Sequence, residues 1–174
     1  MSGPLQLNEN GGAIDLVGIT SVDFERTRFY GNGAEGRGGS IFASNYNTFD
    51  IDRCFFSRCS TVVNDGGAIS FVGGVSEPGI TTVTGSRFSR NVAGSDGGAI
   101  SVEGGRFTPV ELSVSDTIFI RNTAGGEDPA DGGAIFSQLN VTIAEDNIFF
   151  RNSDPELSIP NLGIVEWPED LSGR

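Results

Sequence analysis

A right-handed parallel β-helix of about five turns, built on three short sheets and closed by a C-terminal cap, is the fold this sequence predicts, and three observations predict it. Gly-Gly-small-Ile recurs at Gly11–Ile14, Gly38–Ile41, Gly66–Ile69, Gly97–Ile100 and Gly132–Ile135, in steps of 27, 28, 31 and 35 residues. Phe-x-x-Asn keeps pace with it, running Phe29 to Asn32, Phe88 to Asn91, Phe119 to Asn122 and Phe149 to Asn152, with Phe56 to Cys59 as a degenerate copy. Between these markers lie short apolar runs bounded by turn residues, without helical periodicity. A unit of about 30 residues cannot bury both sides of three short strands, so it has to stack on its neighbours.

In chain order, residues 1–10 are a polar lead-in. Each period then holds three strands, such as Ala68–Val72, Thr81–Thr84 and Ser86–Ser89, and then Ala99–Val102, Glu111–Val114 and Thr117–Ile120. Length varies between them, in a loop after the first strand, as at Gly73–Gly79, and in another before the next Gly-Gly, longest at Thr123–Asp131. Parallel strands stack about 4.8 Å apart, so like side chains form columns. The expected core columns are Ile14, Ile41, Ile69, Ile100 and Ile135; Phe24, Ile51, Val83, Val114 and Ala144; and Phe29, Phe56, Phe88, Phe119 and Phe149. A small column, Ala13, Ser40, Ala68, Ala99 and Ala134, sits where the backbone turns beside Gly-Gly. Asn32, Asn91, Asn122 and Asn152 mark a bend, expected to be left-handed at Asn, where stacked amides bond to backbone and to one another. Cys59 interrupts that ladder. Residues 1–152 are therefore repeats. Residues 153–174, with Pro155, Pro160, Pro168 and Trp167, read as a cap or exit linker, since a stacked solenoid needs its end covered.

Composition narrows the function. The chain has 23 acidic residues against 11 basic ones, all Arg, for a net charge of −12, with no Lys and no His. That field repels phosphate backbones, so nucleic acid is not an expected partner. The lack of His removes the commonest general base and metal ligand. No apolar run is long enough to span a bilayer, so direct membrane insertion is not expected, nor is a cleavable leader at Met1–Leu5. Cys54 and Cys59 lie about 17 Å apart along an extended strand, too far for a bridge unless a turn brings them together, and are read as packed thiols in preference to that alternative.

The paired GGA(I/L/V) and FxxN repeats, from about Gly11 to Asn152, resemble those of the chlamydial polymorphic membrane proteins. The resemblance implies a right-handed parallel β-helix passenger region shown on the cell surface by an autotransporter barrel, with adhesin roles. It implies a cell-surface or extracellular location if the chain is part of a longer secreted protein.

Four clusters offer candidate sites. Asp65, Asp96 and Asp131 precede Gly-Gly, with Asn10 and Arg37 at the same place earlier. Carboxylates stacked 4.8 Å apart repel by about 0.9 kcal/mol in water, which invites a hard cation such as Ca²⁺. The plainer reading is local turn hydrogen bonds with splayed charges, and no other cofactor is expected. Arg58, Arg90, Arg121 and Arg151 form a second column, expected to neutralise the Asp column along one edge or to grip an anion. Asp50 and Asp52, with Arg53, are the only dense acidic cluster within a strand, and a solvated face is the expected reading. Thr81–Thr84 offers one Thr-rich rung, too irregular along the stack for ice binding. The expectation is a non-enzymatic, adhesin-like module or structural scaffold that binds a protein or glycan through its loops. The alternative is a subunit docking end to end through its terminal rungs or acidic edge; a polysaccharide lyase or hydrolase ranks last.

Overall fold

The structure is a computed structural model that describes residues 10–74, 79–104, 110–125, 132–139, 141–144, 146–152 and the backbone of 157–158. The first turn is β1 (Ile14–Val17), β2 (Ser21–Glu25), β3 (Arg28–Tyr30) and β4 (Gly33–Ala34). The second is β5 (Ile41–Ser44), β6 (Thr48–Asp52), β7 (Phe55–Ser57) and β8 (Ser60–Thr61), and the third is β9 (Ile69–Val72), β10 (Gly79–Thr84), β11 (Arg87–Ser89) and β12 (Val92–Ala93). The fourth is β13 (Ile100–Glu103), β14 (Val110–Ser115), β15 (Ile118–Ile120) and β16 (Thr123–Ala124). A partial fifth follows as β17 (Ile135–Ser137), β18 (Val141–Ile143) and β19 (Ile148–Phe150), and β20 (Leu157–Ser158) adds one more strand.

Every strand pairs in parallel with its counterpart one turn away. Sheet A runs β1-β5-β9-β13-β17-β20, sheet B β2-β6-β10-β14-β18, sheet C β3-β7-β11-β15-β19 and sheet D β4-β8-β12-β16. The chain is an all-β parallel solenoid of four complete turns and part of a fifth, with no helix among the described residues. It has four sheets where three are expected. The fourth consists of two-residue strands after each Asn position, too short to show as an apolar run.

The Ile column is in register from Ile14 to Ile135, and so is the Phe column from Phe29 to Phe149. Successive Phe rings stack at 4.6, 4.8, 5.0 and 4.9 Å between centroids, within 7° of parallel. Such offset stacks add about 0.5–1.5 kcal/mol each beyond burial. The third column holds from Phe24 through Ile51 and Val83 to Val114, but its last member is Ile143, not Ala144. The final corner between sheets B and C contains one residue more than the others, so counting back from Phe149 lands one residue late. Tyr46, Phe49 and Phe71 form a further aromatic cluster.

Gly-Gly has two separate jobs. The first glycine is left-handed, with φ between 58° and 70° in all five copies. The second lets two backbones meet: a Cβ on Gly98 would lie 2.2 Å from the Gly133 carbonyl oxygen and 2.6 Å from the Thr123 backbone. The start of sheet A is thus pinched onto sheet D, and only Ala or Ser fits beside it.

Candidate functional site

The Asn ladder is built as expected, with one change of position. Arg58, Arg90, Arg121, Arg151 and Gly31 carry the left-handed φ of 55–66°, one residue before the Asn position. That bend turns the Arg outward and sends the Asn inward, where Asn91 and Asn122 are fully buried. Asn91 Oδ1 accepts the Cys59 N–H at 3.0 Å, while its Nδ2 donates to the Phe56 carbonyl at 3.2 Å and to Asn122 Oδ1 at 3.0 Å. The Asn91 N–H also donates to Asn122 Oδ1, and Asn122 repeats the set toward Phe88 and Asn152. Each amide therefore ties its own turn to both neighbours. At Cys59 the ladder changes chemistry: Asn32 Nδ2 donates to Ser40 Oγ, which donates to Cys59 Sγ. Ser40 is the one non-Ala of the small column, so the two exceptions compensate each other.

A second ladder lies at the corner between sheets B and C. Thr27 N–H donates to Cys54 Sγ, Cys54 N–H to Ser86 Oγ, Ser86 N–H to Thr117 Oγ1 and Thr117 N–H to Asn147 Oδ1. The hydroxyls of Thr27, Ser86 and Thr117 donate to the carbonyl two residues back. Sequence reasoning missed it because no residue type repeats. The signal is positional: the residue two before each column Phe is small or amide-bearing and polar. Both cysteines are unbridged and buried in these ladders, and burial pushes both thiols up, which makes them poor nucleophiles.

The column before Gly-Gly bonds backbone. Asn10 Oδ1 accepts the Arg37 N–H at 2.9 Å, and Asp65 Oδ1 accepts the Asp96 N–H at 3.0 Å. Asp131 lies outside the described residues. Among those residues no group of three or more His, Cys, Asp or Glu side chains could hold a metal. The loops of this column cross the outer face of sheet A, where Arg37 reaches Glu103 at 3.0 Å. Burial, and Asp65 beside it, push the Glu103 carboxyl up to about 7. Its Oε1 is buried without a donor; a proton on Glu103 supplies the missing hydrogen bond, to Asp65.

The outer faces divide the charge. Sheet B strands present Asp23, Glu25, Asp50, Asp52 and Glu111 and no Arg. Asp52 pairs with Arg53, whose guanidinium holds the carboxyl below the usual range, the opposite of what a general acid needs. Thr82 and Thr84 lie outward on one rung beside Asp50 and Asp52 on the next, so no regular Thr face forms. Sheet C strands and the bend after them carry Arg28, Arg58, Arg87, Arg90, Arg121 and Arg151 and no carboxylate. None of these six makes an ion pair among the described residues, so the expected neutralisation by the Asp column does not occur there. Trp167 and nearly all of 153–174 lie outside the described residues; the backbone of β20 continues sheet A.

The Chlamydia polymorphic membrane protein repeat family matches residues 85–103 and 116–138, which are β11 to β13 and β15 to β17 with their Gly-Gly corners. No curated protein and no solved structure matches the chain. Both matched segments carry the Phe-x-x-Asn bend and the Gly-Gly pinch, and the chain is a parallel β-solenoid with repeats of the chlamydial polymorphic membrane protein type.

Proposed function

We propose that this chain is a surface-associated, non-enzymatic β-helix scaffold whose outer faces and inserted loops bind a protein or a glycan. The observation that carries this reading is where variation is allowed. Inside, the buried polar side chains at both corners are spent on ladders that repeat from turn to turn, while length changes fall in loops such as 73–78 and 125–131, between the strands. A repeat type found in surface proteins supports the location.

The test is binding of the purified chain to immobilised glycans and extracellular-matrix proteins, with versions whose 73–78 and 125–131 loops are replaced by short Gly-Ser links. The reading expects a partner whose affinity drops on loop replacement while the melting temperature holds. Cleavage of a polysaccharide in the panel would overturn it. A second reading, end-to-end docking, draws on the first turn, where Ile14, Leu16, Val22 and Phe24 are only partly buried. Concentration-dependent sedimentation, with no partner in the panel, would favour that reading.

A further inference from the structure

We infer that the outer face of sheet C holds an oxyanion site for an acidic saccharide, one bearing a sulfate or carboxylate, centred on Ser57 and Ser89. The inference rests on the binding-module reading and names a site within it. Ser57 and Ser89 are register partners on adjacent turns and point away from the core, because Phe56 and Phe88 between their outward neighbours point in. Outward serines on an open sheet are normally exposed, yet these are 6% and 9% exposed. Neither hydroxyl has a hydrogen-bond partner among the described residues. They lie about one strand spacing, 4.8 Å, apart on the outer face.

Their neighbours are cationic and aromatic. Phe55 and Arg58 flank Ser57 along the chain, and Arg87 and Arg90 flank Ser89. Tyr30 occupies the same column at one end and Ile120 at the other. Arg58 is placed by Tyr30: it donates to the phenol oxygen and its guanidinium lies 5.5 Å from the ring centroid. With Arg28, four arginines lie on these strands and the bends after them, and no carboxylate lies there. Arg forks match planar or tetrahedral oxyanions bidentately, the two hydroxyls supply further donors, and the Phe55 and Tyr30 rings offer apolar surface to a sugar. A site of this sign on a chain of net charge −12 selects an isolated anionic group over an extended polyanion, which the acidic sheet B face repels.

The experiment is calorimetric titration of the intact chain at low ionic strength with a sulfated heparin-derived tetrasaccharide, a sialylated trisaccharide, their neutral counterparts and inorganic sulfate. At least one acidic saccharide is expected to bind, its neutral counterpart not, and sulfate to compete. Arg87→Ala and Arg90→Ala should each weaken binding about tenfold, Ser89→Ala several-fold, and Arg151→Ala, two turns away, less than twofold. Melting temperatures should match the parent, and Arg90→Lys should recover only part of the loss. Equal binding by the Arg87→Ala and parent chains, or equal binding of neutral sugars, would overturn the site. A partner lost on loop replacement but kept by Arg87→Ala would leave the binding-module reading standing and this site refuted.

Discussion

The two polar corners solve the same problem with different chemistry. At the bend between sheets C and D a single residue type, Asn, bonds forward and backward, so each amide spans three turns. At the bend between sheets B and C a run of Thr, Cys, Ser, Thr and Asn accepts one N–H from the previous turn, and its hydroxyls mostly bond their own chain two residues back. A residue that closes bonds on both sides is hard to replace, which is why the first ladder repeats in the sequence. A residue that needs only one acceptor can be any small polar group.

The comparison breaks first where the Asn corner is pinched. Gly98→Ala puts a methyl against the Gly133 carbonyl and Thr123 backbone and should cost about 4 kcal/mol or more. Urea unfolding should show it as largely unfolded at low denaturant. Asn122→Ala strands the Asn91 N–H and the Asn91 side-chain amide and should cost about 3–5 kcal/mol. The same change of function at the other corner, Thr117→Val, removes one donor and one 3.3 Å acceptor and should cost only about 1–2 kcal/mol. Equal losses at Asn122 and Thr117 in matched thermal melts would dissolve the distinction.

Glu103 sharpens the comparison from outside, as a partly buried carboxyl with no repeating partner. Its folded carboxyl titrates near 7 against an ordinary 4.5, so the folded chain holds the proton more tightly than the unfolded one. Its contribution is present below about pH 4.5 and is lost as pH rises through 7, by roughly 1–2 kcal/mol after allowing for solvent. The difference in melting temperature between parent and Glu103→Gln should therefore change between pH 5 and pH 7.5; a constant difference would contradict it. The smallest effect is a gain. Cys59→Asn with Ser40→Ala rebuilds the interrupted ladder and should stabilise by about 1 kcal/mol, read as a higher urea midpoint with an unchanged slope.

The parts of this fold that repeat as residue types were legible in the sequence. The Ile and Phe columns and the Asn positions could be read directly because stacking demands like side chains at like places. The left-handed residue was misplaced by one, at Asn in place of Arg58, Arg90, Arg121 and Arg151. An Asn is a familiar αL residue, but here its amide is needed indoors, so its neighbour takes the strained φ. Sheet D is invisible in the sequence because two residues make no pattern, and the regular spacing points to Ala144 where Ile143 stands because one corner holds an extra residue. On the outer face of sheet C, the FFSR and RFSR tetrapeptides at 55–58 and 87–90 were in plain view. Only their stacking shows that two hydroxyls lie side by side between arginines.

The central claim is that side-chain ladders tie successive turns as firmly as the strands do. Native-state hydrogen exchange tests it residue by residue. The Asn91 and Asn122 amides, bonded only to side-chain oxygens, should exchange as slowly as those of the strand residues Arg87 and Ile118, which bond the backbone carbonyls of Cys54 and Ser86 at 2.9 Å. If Asn91 and Asn122 instead exchange as fast as the loop amides around Gly36, the ladders are decoration on a stack held by its strands alone.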